Sequence, residues 1–395
     1  MITFPENWIE YEFGEFAEFN SKISLKKGTH YPFVPMENLN ANLKYVSAFE
    51  TKEYSGGGAK FCNGDTLFAR ITPCLENGKI AQVKKLAGEK GFGSTEYFIF
   101  RGRKNVSDTD FIFYLSKTDW FQQNAINSMV GASGRQRADA GFVSKTKLNL
   151  PPLTTQKKIA AILSTYDDLI ENNLKRIKLL EEMAQITYEE WFVRLKFPGH
   201  ETASMNLETG LPVGWVTIKV GNFLAKIETT TKIKSTEYCA DGKYPIIDQG
   251  REYIAGYTND EDSIIDIGRP IIVFGDHTRI LKFVNFPFAR GADGTQILLS
   301  KDERMPQHLF YFSLLAVDLS NYHYARHFKF LKDCEIILPD LNTAQAFENV
   351  AAKNFVLIKN LRNQNQLLKE ACDILLPRLM TGMIDVDTVG ADLSA

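Results

Sequence analysis

Leu338-Pro339-Asp340-Leu341-Asn342-Thr343 repeats Leu150-Pro151-Pro152-Leu153-Thr154-Thr155 at a distance of 188 residues, and each copy opens a long run with helical spacing. In the second run Phe347, Val350, Asn354, Leu357, Leu361, Gln364, Leu368, Ala371 and Leu375 advance by alternating steps of three and four. That is the seam of a coiled coil, one apolar stripe turned toward a partner helix. The equivalent positions of the first run are Ile159, Ile162, Tyr166, Leu169, Asn173, Arg176, Leu180, Met183 and Thr187. This seam is weaker, and Leu163, Ile170, Leu174 and Ile177 broaden it on one side. Thr155 is placed to cap the first helix, expected to reach about Phe192 before Pro198-Gly199 stops it. Thr343 is placed to cap the second, expected to reach about Leu376, where Pro377 bends or ends it.

A globular stretch separates the two runs, so they can pair antiparallel within one chain. Asn173, Arg176, Asn354 and Gln364 put polar groups into the seam. They read either as tolerated surface polarity or as devices that fix register. A helix of roughly 35 residues is about 50 Å long. Two similar heads held apart by such helices suit a two-part site on DNA, whose turn repeats about every 34–36 Å.

The repeat extends outward from the helices. Phe4-Pro5-Glu6-Asn7-Trp8 is echoed by Leu211-Pro212-Val213-Gly214-Trp215, each leading into an amphipathic stretch that ends near Phe16 and Phe223. The buried-strand pattern Gly64–Arg70 parallels Gly268–Phe274, and aromatic-rich Asp110–Leu115 parallels Gln307–Phe312. The fold class expected is α+β: two similar globular units and a pair of long helices forming an antiparallel coiled coil. Boundaries fall at 1–150, 151–198, 199–338 and 339–385, with a flexible tail at 386–395.

Composition excludes several classes. Of 395 residues, 44% are hydrophobic and 24% charged, as in an ordinary soluble protein. No apolar run approaches a membrane span and the N-terminus lacks a signal-peptide pattern, so a cytoplasmic protein is expected. The five cysteines are scattered and never spaced C-x-x-C, which points to neither zinc nor a disulfide framework. Net charge is −2; residues 1–150 carry 19 basic and 16 acidic side chains, residues 199–338 carry 15 and 18. DNA binding then requires cations concentrated on one face or supplied by a partner.

Gly64-Asp65-Thr66-Leu67-Phe68-Ala69-Arg70-Ile71-Thr72-Pro73-Cys74-Leu75-Glu76-Asn77-Gly78-Lys79 resembles a recurring segment of the specificity subunits of type I restriction-modification enzymes. Leu150–Ala160 and the tail Leu375–Asp385 resemble the same family, in the same order. The resemblance implies that each globular unit is a target recognition domain reading half of a bipartite double-stranded DNA sequence. It implies that the helices set the spacing and dock two modification subunits, which methylate adenine with S-adenosylmethionine. Restriction subunits using ATP and magnesium join them. This chain would then carry no cofactor, metal or catalytic residue of its own. The repeat is imperfect, with Ala344-Gln345 where the first helix has Gln156-Lys157.

No other chemistry competes. A G-x-x-x-x-G-K-[ST] loop is absent. Asn149-Leu150-Pro151-Pro152-Leu153 departs from the Asn-Pro-Pro-aromatic tetrapeptide of adenine methyltransferases, and Gly275-Asp276-His277-Thr278 reads as a polar loop tip. Among candidate DNA contacts, Ser133, Arg135, Gln136 and Arg137 combine a glycine-rich backbone with side chains that grip guanine, adenine or phosphate. A solvated turn is the plainer account. Tyr324, Arg326, His327 and Lys329 form the matching basic, aromatic stretch, which also reads as an edge strand. Arg70, Thr72, Asn77 and Lys79 follow the buried strand of the first unit; His277, Thr278 and Arg279 follow that of the second. Arg290 and Lys282 add possible phosphate contacts. On the helices, Lys157, Lys158, Tyr188 and Trp191, with Arg378, Leu379 and Met380, are expected to face a partner. Trp191 and Phe192 equally suit packing under the adjoining unit. A repeat scaffold that binds proteins without DNA specificity is the alternative.

Overall fold

The computed structural model describes residues 4–48, 50–132, 134–227, 230–291, 293–320 and 326–386. The chain packs as two compact units, Met1–Leu174 with Asn363–Ala395, and Lys175–Arg362. The long helices Leu153–Tyr188 and Leu341–Met380 each contribute one part to either unit. Of the expected tail, residues 387–395 lie outside the described residues.

In the first unit a five-stranded sheet runs in the order Ala17–Phe19, Tyr97–Gly102, Thr66–Ala69, Ile80–Val83, Tyr45–Val46. A four-stranded sheet runs Glu50–Glu53, His30–Val34, Lys90–Gly93, Ala59–Cys62. The strands Thr66–Ala69 and Ile80–Val83 are buried at every position, which explains why they are apolar apart from Thr66 and Gln82. Behind the first sheet lies a phenylalanine core in which Phe13 meets Phe100 and Phe121 edge-on at 4.9 and 4.8 Å. The helix Thr109–Lys117, capped by Asp108 through the Phe111 N–H, presents Phe111 and Leu115 to it.

The second unit repeats this plan with smaller sheets: Leu281–Val284, Ile271–Gly275, Thr295–Leu298, and Gly256–Thr258, Tyr244–Ile247, Phe288–Arg290, Ile264–Ile265. The helix Gln307–Leu315 stands where Thr109–Lys117 stands in the first unit. His308 ties that helix to the C-terminal one, its Nδ1 lying 2.7 Å from Glu348 and its ring tilted against Phe283 at 4.4 Å.

Both long helices begin three residues earlier than capping by their threonines suggested. The second is capped by Asp340, which accepts from the Thr343 N–H and hydroxyl and from Trp215 Nε1. The first starts after Pro152, and Gln156 binds the Asp108 N–H and the carbonyls of Val106 and Pro151. Pro377 does not end the C-terminal helix, which continues to Met380.

The true seam is displaced from the expected one. Ala344, Ala351, Ile358, Asn365, Cys372 and Leu379 recur every seven residues, with Phe347, Phe355 and Leu361 between them. Val350 and Leu357, placed in the seam by the sequence, are exposed. On the central helix Leu163, Ile170, Ile177 and Ala184 give the same seven-residue period and are buried, whereas Arg176 faces solvent. A strict period of seven keeps one stripe facing a supercoiled partner. Antiparallel pairing is seen inside each unit. In the first, Asn173 bonds Asn365; in the second, Asn354 reaches the Leu180 carbonyl and Arg362 the Glu181 carboxylate.

Candidate nucleic-acid interface

One backbone frame carries the candidate contacts of both units. At the end of the buried strand Thr66–Ala69, the Arg70 N–H donates to the Glu96 carbonyl at 3.0 Å, and its own carbonyl receives the Ala138 N–H at 2.8 Å. In the second unit the Asp276 N–H donates to the Gly294 carbonyl at 2.7 Å and its carbonyl receives the His327 N–H at 2.9 Å. The preceding residues match as well, Ala69 bonding the Lys79 carbonyl and Gly275 that of Ile280. The repeat is therefore real but its register differs by two residues from the sequence alignment, which set Ala69 against Val273. In the structural register Arg137 corresponds to Arg326, and Glu96 to Gly294.

In the first unit this frame presents the loop 131–137. Val130 and Arg137 exchange backbone hydrogen bonds at 3.0 Å, closing the loop at its base. Arg137 gives Nε and Nη2 to Glu96 at 2.9 and 2.7 Å and Nη1 to the Arg135 carbonyl at 3.3 Å. The hydrogen bonds and charge of Glu96 hold its guanidinium above the ordinary value. Arg137 is thus a strut, and Arg135 stands exposed at the tip. Gln136 is braced by its backbone, which exchanges hydrogen bonds with the Thr72 N–H and hydroxyl. Thr72 supports the loop from below, Lys79 Nζ donates to the Met36 carbonyl, and Asn77 is exposed. Arg70 lies over the Phe98 ring at 4.8 Å. Ser133 lies outside the described residues.

In the second unit His277, Thr278 and Arg279 form a turn after Asp276, with Arg279 at φ +62°. Gln249 braces it, its carbonyl accepting from the Thr278 hydroxyl at 2.7 Å and its Oε1 from the His277 N–H at 3.1 Å. Arg279 Nη1 donates to the Leu319 carbonyl. Residues 327–333 are a short helix rather than an edge strand, anchored where Asp276 Oδ1 accepts from the Phe328 N–H at 2.8 Å. Arg326 and Lys329 are exposed beside it. His327 is buried, and burial first, then the Arg279 charge, push it below the usual imidazole range. It shapes the helix start. Two further expected contacts turn inward: Arg290 Nε donates to the Thr295 carbonyl, and buried Lys282 donates to the Glu252 carbonyl. Tyr324 lies outside the described residues.

Sequence reading missed Asn20, Lys22 and Lys60, which with Arg70 and Thr95 border a cleft of about 450 Å³ in the first unit. The available signal was Gly56-Gly57-Gly58, a turn that delivers Lys60.

The partner-facing residues divide. Lys157, Lys158 and Arg378 are exposed. Tyr188, Leu379 and Met380 are core residues, 5%, 1% and 2% exposed, and Trp191 packs on Phe192 and Phe347. The outer face of the second unit's share of the central helix instead carries Leu179, Met183 and Ile186, all more than half exposed. Among the described residues, no cluster of three His, Cys, Asp or Glu side chains has metal-holding geometry, and no helix is long and apolar enough to cross a membrane.

A family model for the type I restriction modification DNA specificity domain matches residues 5–182. The specificity subunit of type I restriction enzyme EcoAI from Escherichia coli is 26% identical over 189 residues, 46% of this chain and 32% of that one. The chain thus aligns with about a third of that relative's length. The MjaIX specificity subunit of Methanocaldococcus jannaschii is 25% identical over 304 residues, 71% of this chain and 70% of its own. Among solved structures, the S subunit of a type I restriction-modification system from M. genitalium has a TM-score of 0.49 at 14% identity, covering 95% of both chains. A repeat scaffold without DNA specificity finds no support among these relatives.

Proposed function

We propose that this chain, a member of the type I restriction-modification specificity-subunit family, reads a bipartite double-stranded DNA sequence and has no catalytic role of its own. The observation that carries this reading is the shared frame at Arg70 and Asp276, which offers one loop of contact residues per unit from the end of a buried strand. Contacts built this way are held by a rigid element while their side chains remain free to differ, as sequence reading demands. In the first unit Arg135 and Gln136 are the base-reading side chains, with bidentate geometry for guanine and adenine. In the second His277, Thr278, Arg279, Arg326 and Lys329 take that part.

The long helices set the half-site spacing and dock two modification subunits, whose S-adenosylmethionine supplies the methyl group. Restriction subunits contribute ATP- and magnesium-dependent translocation and cleavage in the cytoplasm. The exposed stripe Leu179, Met183 and Ile186 has the apolar character of a partner-covered face, and Lys157, Lys158 and Arg378 supply charge. Fluorescence anisotropy of the chain with its modification partner, on cognate and scrambled duplexes over a salt series, tests the reading. Affinity should fall steeply with salt on both and remain higher on the cognate duplex. Equal affinity for both duplexes would refute sequence reading.

A further inference from the structure

The cleft beside Arg70 has a composition unlike the rest of its unit. Lys22, Lys60 and Arg70 all line it, together with Asn20 and Thr95, and among the described residues no carboxylate does. The two acids nearest in the chain are turned to other partners: Glu18 accepts from the Ser21 hydroxyl at 2.8 Å, and Glu96 clamps Arg137. A unit with 19 basic and 16 acidic residues over positions 1–150 has therefore gathered three cations around one concavity. Such convergence raises the local positive potential well above what the near-neutral whole would give.

Arg70, whose guanidinium also lies over the Phe98 ring at 4.8 Å, is held at the wall of this cleft. The cleft is also held open by design of the backbone. Gly58 has φ +85°, and a Cβ there would stand 2.4 Å from the Gly93 carbonyl oxygen, so a side chain would push apart the strand pair that forms the wall.

A concave pocket of this kind is the wrong shape for reading base edges, which protein elements reach by projecting into a groove. Its cationic lining without a carboxylate suits an anionic group of the phosphate class. We infer that this cleft clamps a phosphate of the DNA backbone, with Lys22, Lys60 and Arg70 as its cationic jaws, while the loop 131–137 reads bases. The inference rests on the DNA-recognition reading and adds a division of labour within the first unit: the cleft fixes register on the backbone, and the loop supplies discrimination.

The test uses the full chain assembled with its modification partner. K22Q/K60Q should weaken binding about tenfold or more on cognate and scrambled duplexes alike, since a charge-assisted contact is lost. It should lower the slope of log affinity against log salt by about one, leave the methylated motif unchanged, and K22R/K60R should restore the slope. An unchanged slope and affinity would overturn the clamp, as would an altered motif with an unchanged slope, which would mark a base-reading site. Calorimetry with inorganic phosphate and with dAMP distinguishes the sources. Submillimolar binding lost in K22Q/K60Q, with the DNA slope intact, would make this a free-phosphate site and overturn the DNA assignment. If the wild-type complex shows no preference for any duplex, sequence reading itself fails, a result separable from these because the slope is read on scrambled DNA as well.

Discussion

Asn173 Nδ2 donates to Asn365 Oδ1 at 2.9 Å, joining two residues 192 positions apart in the coiled coil of the first unit. Asn173 is 5% exposed, so the amide pair sits within an otherwise apolar seam. A one-step slip of either helix would leave both amides facing hydrocarbon, which makes the pair a register lock.

That lock predicts an asymmetric response to mutation. Asn173→Leu alone strands the Asn365 amide and should cost about 1–3 kcal/mol in urea unfolding. Leu at both positions should restore or exceed wild-type stability while loosening the choice of register. A single variant as stable as the wild type would show that the pair does nothing.

Asp167 gives a pH-dependent signature. Its carboxyl accepts from the Tyr114 hydroxyl, and burial raises its folded pKa above the usual carboxylate range. The folded state then binds the proton more tightly than the unfolded one, so this group's contribution improves as pH falls through the folded value and is fully present below the unfolded value. Asp167→Asn removes that dependence. The stability of the variant relative to wild type should therefore be greatest near pH 7 and shrink toward pH 4, as read by thermal melts. A difference that stays constant across that range would contradict the assignment.

The Arg137–Glu96 strut should affect reading rather than binding strength. Glu96→Gln or Arg137→Ala should blur one half-site, reducing discrimination there by about tenfold, the scale of one base contact. The salt slope and the other half-site should not change. The charge-reversed pair Glu96→Arg with Arg137→Glu should recover part of the discrimination. A variant that loses salt slope instead would make Arg137 a phosphate contact.

The helix faces separate folding from docking. Met183→Asp with Ile186→Asp should abolish assembly with the modification subunit, read by size-exclusion chromatography, and shift stability by no more than about 0.5 kcal/mol. Phe347→Ala, which empties the space among Tyr188, Phe192 and Phe312, should cost about 3–5 kcal/mol. Assembly surviving the aspartates would move the docking face elsewhere.

Much of this architecture was legible in the sequence, because repeats and seam periodicity are carried by side-chain identity. Two shifts escaped it. The stripe drawn through Val350, Leu357 and Gln364 lies one step from the buried Ala351 and Ile358 and the half-buried Asn365, since alanine and asparagine weigh little in a search for large apolar residues. The equivalence of Ala69 with Gly275 rests on backbone hydrogen bonds that leave no mark on side-chain type. Lys22 and Lys60 were invisible for a related reason: they stand 38 positions apart and meet only because two chain segments flank one cleft. Tyr188, Leu379 and Met380 were misplaced because amphipathic helix ends do not declare which neighbour covers them.

Single-molecule mapping of adenine methylation tests the central claim most directly, in cells expressing the modification subunit with the wild-type chain, with Arg135→Ala/Gln136→Ala, or with Arg326→Ala. The account predicts a two-part motif that depends on the chain, one half rewritten or blurred by the first variant and only the other half by the second. A motif unchanged by both variants, or present without the chain, would contradict it.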